Sequence, residues 1–321
     1  MNVSVIVTCH NEEAFIGQTV RSICKQTAGA RVAEIIVIDD NSTDGSRQVL
    51  EQLAREEPRL RLVSTSGIGA SAARNLGIRT SSAPLIAFLD GDDYWRPDKL
   101  ERQLEAFIDD RVGLVYSDFV DFTRTDLSDS QLVNVRRFHR DTPETLTEYF
   151  VHDAPIIPST AIIARAVFSD VGFFDESLFP GEDTEMCLRI AERWQFQHVP
   201  GGLTFKRRHA HNSTRHLETL LPINVALTQR FVARNPGLER FIGQRLSRRY
   251  ARVGHDCAQH GQSRLAFSYL RRALGHAPFF WRSYAYLALL ILPWRARTAT
   301  LRVGKRLFHG SLYWLRIPQA R

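Results

Sequence analysis

The chain has no apolar run of the about 20 residues that a membrane-spanning helix needs; the segment from Tyr284 to Trp294 extends for only 11 of its 321 residues. Cysteine is scarce. Cys9, Cys24, Cys187 and Cys257 stand far apart and form no Cys-x-x-Cys pair, which argues against a zinc site and a disulfide framework and fits a reducing cytoplasm. No secretory leader is expected, because Met1 is followed almost at once by the strand-like VSVIVT instead of a charged start and a longer apolar core. A Gly-x-Gly-x-x-Gly fingerprint is missing too. Gly67 and Gly69 lack the third glycine and follow the third strand pattern, not the first, so a nicotinamide or flavin cofactor is disfavoured.

Acidic residues nearly vanish from the C-terminal part. Residues 216 to 321 hold 18 Lys+Arg against 3 Asp+Glu, a balance of +15, while the first 215 hold 24 against 32, or −8, and together these give the net +7. This asymmetry points to an anionic partner, either nucleic acid or a membrane surface rich in acidic lipid; a solvated, arginine-rich helical bundle is the plainer alternative. No recognised DNA or RNA module accompanies the basic residues, and the N-terminal part is acidic, so no nucleic-acid partner is expected.

What is present is a βα repeat. With 44% apolar residues, the chain can bury an α/β domain of about 200 residues and leave about 100 over. Apolar patterns predict strands at Val3 to Thr8, Glu34 to Asp39, Leu60 to Val63 and Leu85 to Leu89. Helical patterns alternate with them at Glu12 to Gln26, Thr43 to Glu56, Ala70 to Thr80 and Pro97 to Asp109. Short connections between such units imply a parallel sheet with helices on both faces, whose ligands bind at the loops after the strands. A further strand is expected at Val112 to Ser117, followed by irregular excursions to Ser159.

The loops carry the chemistry. LIAFLDGDDYWRPDKL, residues 85 to 100, ends a buried strand in Asp90, Asp92 and Asp93. Carboxylates crowded at the mouth of a sheet repel one another, and a divalent cation shared with diphosphate oxygens would satisfy both. A turn and a helix cap is the plain alternative. Farther on, Pro180-Gly181 breaks the chain just before Glu182-Asp183 at the start of an amphipathic helix. The helix dipole favours acids there, although capping explains one carboxylate better than two.

Taken in order, VSVIVTCHNEE, EIIVIDDNSTDGS, GASAARNLGI, LDGDDYWRPDKL, the GED segment and KRRHAHNST resemble glycosyltransferase family 2, the inverting group that uses nucleotide-diphosphate sugars. The resemblance covers residues 3 to 214. It implies a GT-A fold, an α/β architecture with a Rossmann-like, mostly parallel sheet flanked by helices, over residues 1 to 215, and leaves 216 to 321 as a basic helical C-terminal region. It implies that Thr8, His10, Glu12, Asp40, Arg74 and Asp90 bind the donor, that Asp92 and His209 hold Mn2+ or Mg2+, and that Asp183 is the general base with Glu182 beside it. Family members more often carry Tyr at the position of His10, and an ordinary basic surface residue is the alternative for His209. The implied reaction moves a sugar, from a UDP-linked donor ahead of dTDP- or GDP-linked ones, to a hydroxyl of a glycan or lipid-linked glycan in cell-envelope polysaccharide assembly. A nucleotidyltransferase would share the sheet and the acidic site, and a noncatalytic nucleic-acid-binding protein would use the basic tail.

In the C-terminal region, residues 251 to 278 resemble a single tetratricopeptide-type hairpin with Gly261 at its turn and Pro278 after its second helix. Tyr284 to Trp294 follows, flanked by Arg282, Arg295 and Arg297, with Trp281, Trp294 and Trp314 as interfacial aromatics. This suits a peripheral helix on the inner, anionic face of a membrane, or else a buried helix of a small domain. The sequence leaves the oligomeric state open.

Overall fold

The computed structural model describes residues 1–135, 145–152, 154–209 and 217–292. The chain divides into two compact units, Met1–Thr214 and Arg215–Arg321; the expected boundary between 215 and 216 lies outside the described residues.

The first unit begins with the βα alternation. Strands β1 (Val3–Cys9), β2 (Val32–Asp40), β3 (Leu60–Thr65) and β4 (Leu85–Asp90) are interleaved with helices α1 (Ile16–Cys24), α2 (Ser46–Glu56) and α3 (Ala70–Thr80). They pair in parallel in the order β3-β2-β1-β4. Both faces are covered, which explains the near-continuous apolar strands. Val5, Val7 and Cys9 pack with Ile16, Val20, Ile23 and Leu50 from α1 and α2, whereas Ile36 and Ile38 pack against Ala73 of α3. Because strand side chains alternate faces, Ile6 of β1 turns to the α3 side and fills the space above Gly77, where an added Cβ would lie 2.4 Å from its Cγ2.

Beyond β4 the chain continues through β5 (Tyr94–Trp95), α4 (Lys99–Leu104), β6 (Val112–Phe122), β7 (Gln131–Val133), α5 (Leu146–His152), β8 (Ala161–Ala164), α6 (Arg165–Val171), α7 (Glu182–Ala191) and β9 (Gln195–Arg207). These strands extend the sheet as β4-β8-β6-β9-β5, with β7 on β6. The short β8 is antiparallel to both neighbours, β6 and β9 run parallel over their length, and β5 is antiparallel to β9. An α/β fold with a GT-A type sheet flanked by helices, followed by helices, is what the motifs predicted.

Several bounds differ from the sequence pattern, for local reasons. Helix α1 starts at Ile16, not Glu12, because residues 10 to 13 interlock with the loop after β2: Asn11 takes φ 58, its Oδ1 accepts the Thr43 N–H, and the Glu12 N–H donates to Ser46 Oγ. That interlock also delays α2 from Thr43 to Ser46. Helix α4 is shorter than Pro97 to Asp109, since Ala106 and Phe107 bond back three residues instead of four and tighten the last turn. Strand β6 runs on to Phe122, not Ser117, because β9 pairs with it throughout; the excursions after it include β7, α5 and β8.

The second unit contains α8 (Leu217–Arg234), α9 (Ile242–Gln259), α10 (Ser263–His276) and α11 (Trp281–Leu290). The α9–α10 hairpin turns at Gly261, whose φ of 79° suits glycine. Gly254 lets the two helices approach, since a Cβ there would meet Leu270 Cγ at 2.8 Å. Among the described residues no helix is long and apolar enough to cross a membrane; Trp294, Arg295, Arg297 and Trp314 lie outside them.

The Gly77–Ile6 contact gives a test of the packing. Gly77→Ala gains up to ~1 kcal/mol of helix propensity but overpacks a buried strand at a cost of about 1–3 kcal/mol. We expect a lower urea midpoint with unchanged turnover per folded molecule; a raised midpoint would contradict the tight β1–α3 approach.

Candidate active site

The parallel strands end side by side, with Thr8 in register with Asp90 and Cys9 with Asp39, and the strand order reverses between β1 and β4. Ligands of open α/β sheets bind at such a crevice. The acidic loop after β4 is pinned there from several sides. The Gly91 N–H donates to the Thr8 carbonyl at 2.9 Å, the Asp90 N–H donates to Ser159 Oγ at 3.1 Å, and the Thr19 hydroxyl lies 2.8 Å and 2.7 Å from the carbonyls of Gly91 and Asp93. Pairing of β5 with β9 then draws the end of β9 over this loop, with Tyr94 stacked on Phe205 at 4.6 Å.

Arg74 occupies the centre. Buried on α3, it donates from Nη2 to Asp90 Oδ1 at 2.9 Å and from Nη1 to Glu182 Oε1 at 3.1 Å, so one guanidinium joins the end of β4 to the start of α7. Burial would raise the Asp90 carboxyl, but Arg74 outweighs it and holds Asp90 below its ordinary value. Glu182 goes the other way. Burial first, then the neighbouring Asp183, push it up to about 7 against the pull of Arg74.

The three acids in the first turn of α7 are not equivalent. Glu182 is buried and bonded to Arg74 and to the Gly181 N–H, and Glu185 accepts from Arg189 at 2.8 Å. Asp183, half-buried, accepts no hydrogen bond among the described residues. Of the three it is the carboxylate left open.

Ligand atoms of Glu12, Asp92 and His209 all lie within 4.8 Å of one another. His209 Nε2 is 2.9 Å from Asp92 Oδ2, and its ring packs against Phe15 at 5.3 Å; it is therefore half-buried in the site, not an ordinary surface residue of a basic run. Burial and then Asp92 and Asp90 raise Glu12 to about 8, and burial and Asp90 also raise Asp92. Two crowded carboxylates and an imidazole converging from three segments form a donor set that fits a divalent cation, whose charge would relieve that crowding. Glu12, expected with the donor-binding residues, thus stands with Asp92 and His209.

Asp40 and His10 shape the remaining rim. The Asp40 carboxylate accepts from Thr65 Oγ1 at 2.5 Å and from the N–H groups of Gly67, Ile68 and Gly69 at 3.0, 2.7 and 2.8 Å. Burial alone would raise it, yet these donors hold it below its ordinary value. Gly67 and Gly69 have φ of 87° and 85°, which lets three successive N–H groups face one carboxylate. The exposed His10 ring sits with Nδ1 2.7 Å from the Asp40 carbonyl and Nε2 3.2 Å from Asn11 Nδ2, so its neighbours assign the proton to Nδ1. Thr8 Oγ1 donates to Asp90 Oδ1 at 3.3 Å.

Arg207 was missed by sequence reasoning, which saw it only within the run Lys206 to His209. Its N–H donates to Asp93 Oδ1 at 3.0 Å, Nε to the Asp92 carbonyl at 3.2 Å and Nη2 to Gln18 Oε1 at 2.7 Å, with the guanidinium over Phe15. The available signal was its place in the sequence, two residues before His209 at the end of a strand that closes over the acidic loop. Asp93, buried under this clamp, has its carboxyl raised well above the ordinary value by burial and then by Asp92 and Asp90.

Comparisons with known proteins agree with this architecture. The model of the family described as Glycosyl transferase family 2 matches residues 4–172, over half of the chain. The chain is 39% identical over 108 residues, 33% of its length, to a protein named for teichuronic acid biosynthesis, the glycosyltransferase TuaG of Bacillus subtilis, and this match takes in 42% of TuaG. It is 33% identical over 118 residues, 36% of its length, to the UDP-Glc:alpha-D-GlcNAc-diphosphoundecaprenol beta-1,3-glucosyltransferase WfgD of Escherichia coli, and takes in 45% of that protein. Each match spans less than half of the relative's own length. Among solved structures, residues 1-349 of S. aureus TarS in complex with UDP-GlcNAc share the fold with a TM-score of 0.64 at 18% identity, covering 98% of this chain and 93% of that one.

The raised Glu182 carboxyl has a consequence for stability. An acid whose pKa rises from 4.5 to about 7 on folding binds more protons in the folded state between those values, so its contribution to stability is lost as pH rises through that window. Glu182→Gln keeps a partner for Arg74 and removes the titration. We expect stability, from urea midpoints between pH 4.5 and 7, to fall less steeply in this variant than in wild type; parallel curves would show that Glu182 is not held protonated by its surroundings.

Proposed function

The chain belongs to glycosyl transferase family 2, and on that premise we propose that it moves a sugar from a nucleoside-diphosphate donor, UDP-linked in the first instance, to a hydroxyl acceptor with inversion at the anomeric carbon. The open Asp183 carboxylate, beside a Glu182 already tied to Arg74, is the observation that carries this reading.

Attack on an anomeric carbon requires a hydroxyl that loses its proton as it bonds, and a carboxylate within ~3 Å of it can accept that proton. Asp183 takes this role, since it is not already neutralised by a hydrogen-bonded partner. Glu182 serves Asp183 by fixing the first turn of α7 to Arg74. One base and one direct displacement invert configuration.

The donor lies along the ends of β1, β2 and β4. His10 and Thr8 line the nucleoside end, and Asp40 contributes through the loop 67–69 that it holds. Arg74 keeps Asp90 ionised beside the ribose and diphosphate. Asp92 and His209, joined by Glu12, would hold Mn2+ or Mg2+, which when bound supplies a Lewis acid for the charge on the leaving diphosphate. The imidazole favours manganese, because magnesium prefers oxygen ligands.

The relatives support the wider setting. WfgD is named for a diphosphoundecaprenol-linked acceptor and TuaG for teichuronic acid biosynthesis, and TarS binds UDP-GlcNAc in a shared fold. We place this enzyme in cell-envelope polysaccharide assembly, acting on a glycan or lipid-linked glycan at the cytoplasmic face of the membrane.

Incubation with a panel of nucleotide sugars and lipid-linked acceptors tests the reaction. Release of free nucleoside diphosphate without pyrophosphate, with an inverted anomeric proton coupling in the product, is the expected result; pyrophosphate release would replace the reading with nucleotidyl transfer. Asp183→Asn should lower kcat by roughly 100-fold or more with donor affinity unchanged, and near wild-type turnover would leave Asp183 only a charge that complements the α7 dipole. For the metal, calorimetric titration of the donor-free protein with Mn2+ should show affinity weakened roughly tenfold or more in Asp92→Asn, His209→Gln and Glu12→Gln. Unchanged affinity in Glu12→Gln would take that residue out of the ligand set.

A further inference from the structure

Helix α11 is apolar on both of its faces. Tyr286, Leu287 and Leu290, with Phe280 just before the helix, pack against Ala251 of α9 and Leu270 and Ala273 of α10, which accounts for one face. The other face carries Trp281, Tyr284, Ala285 and Ala288, all exposed, and Ile291 and Leu292 continue it just past the last turn. Their spacing of i, i+3, i+4, i+7, i+10 and i+11 is one stripe of a helix. Tyr284 is 53% exposed, Ile291 86%, and Phe279, just ahead of the helix, 97%.

A helix that is apolar all round is either buried or in contact with lipid, and this one is buried on one face only. The chain on either side of it is basic in sequence. The Arg282 guanidinium lies over the Trp281 ring, 5.6 Å from its centroid, Arg271 and Arg272 are exposed on α10, and the sequence from 293 to 321 holds seven Lys+Arg and no Asp or Glu. A second copy of the chain would bring like charges together at such a face. An anionic bilayer offers both an apolar layer and negative charge.

We propose that the outer face of α11, led by Trp281, Tyr284 and Ile291, together with the exposed Phe279 just ahead of it, is a docking surface for anionic lipid, with the aromatic rings at headgroup level and the arginines among the phosphates. The helix is 10 residues long, far short of a span, so it lies in the interface plane. The proposal is independent of the transfer reaction, because lipid binding reads it without turnover.

Flotation of the full chain with phosphatidylglycerol-containing vesicles, with phosphatidylcholine vesicles as the comparison, provides the test. Wild type should float with the anionic vesicles and hardly with the neutral ones, and added salt should weaken the binding without abolishing it, since buried apolar groups are not screened. The triple variant Trp281→Ser, Tyr284→Ser, Ile291→Ser should partition roughly tenfold less or weaker still, with its melting temperature and monomer–oligomer distribution unchanged. Phe279→Ser, at the most exposed apolar position, gives a smaller loss and stands in if the triple variant proves unstable. Equal recovery with both vesicle types, wild-type flotation by the variants, or a variant that loses stability or dissociates an oligomer while still floating would overturn the proposal; the last outcome would assign the face to the chain's own C-terminal residues or to a second copy.

Discussion

Everything around the mouth of the sheet depends on one buried cation. Arg74 sits where Asp90, Glu182 and Asp183 converge, and without its charge these acids would have to separate or take up protons. Its planar fork lets it donate in two directions at once, to Asp90 on β4 and to Glu182 on α7. Two elements 92 residues apart in the chain, Asp90 and Glu182, are thereby held at a fixed separation.

The same constraint sorts the carboxylates into different jobs. Asp40 is saturated by Thr65 and three backbone N–H groups and gives a loop its posture, Asp93 is buried beneath Arg207, and Glu182 and Glu185 are taken by Arg74 and Arg189. Asp183 remains open at the start of α7, and Glu12, Asp92 and His209 cluster together. The donors on Asp40 hold its carboxyl below the ordinary value, whereas burial and neighbouring acids push Glu182 and Asp93 up. Of the acids in the first turn of α7, Asp183 alone accepts no hydrogen bond among the described residues, and Asp92 and His209 are joined to each other beside Glu12.

In the second unit the constraint is apolar. Helix α11 has more hydrophobic surface than α9 and α10 can cover, and the stripe from Trp281 to Ile291 is what remains. Unlike the scattered exposed apolar residues of an ordinary surface, it is contiguous along one helix and accompanied by arginines, the combination that membrane interfaces use.

The sequence by itself determined the βα alternation, because apolar periodicity is local and each strand or helix announces its own period. It also placed Asp40, Asp90 and Asp92 at strand ends, Glu182 and Asp183 at a helix start, and the turn of the α9–α10 hairpin at Gly261. Tertiary structure decided the rest of the site. Four carboxylates of similar chemistry, Asp40, Asp93, Glu182 and Glu12, acquired different surroundings only when distant segments met: Gly67 to Gly69 on Asp40, Arg207 on Asp93, Arg74 on Glu182, and His209 beside Glu12 and Asp92. Periodicity reports which side chains a local element buries. Hydrogen-bond partners and local potential are set by contacts across tens to hundreds of residues, and those exist only once the sheet has closed around its own loops.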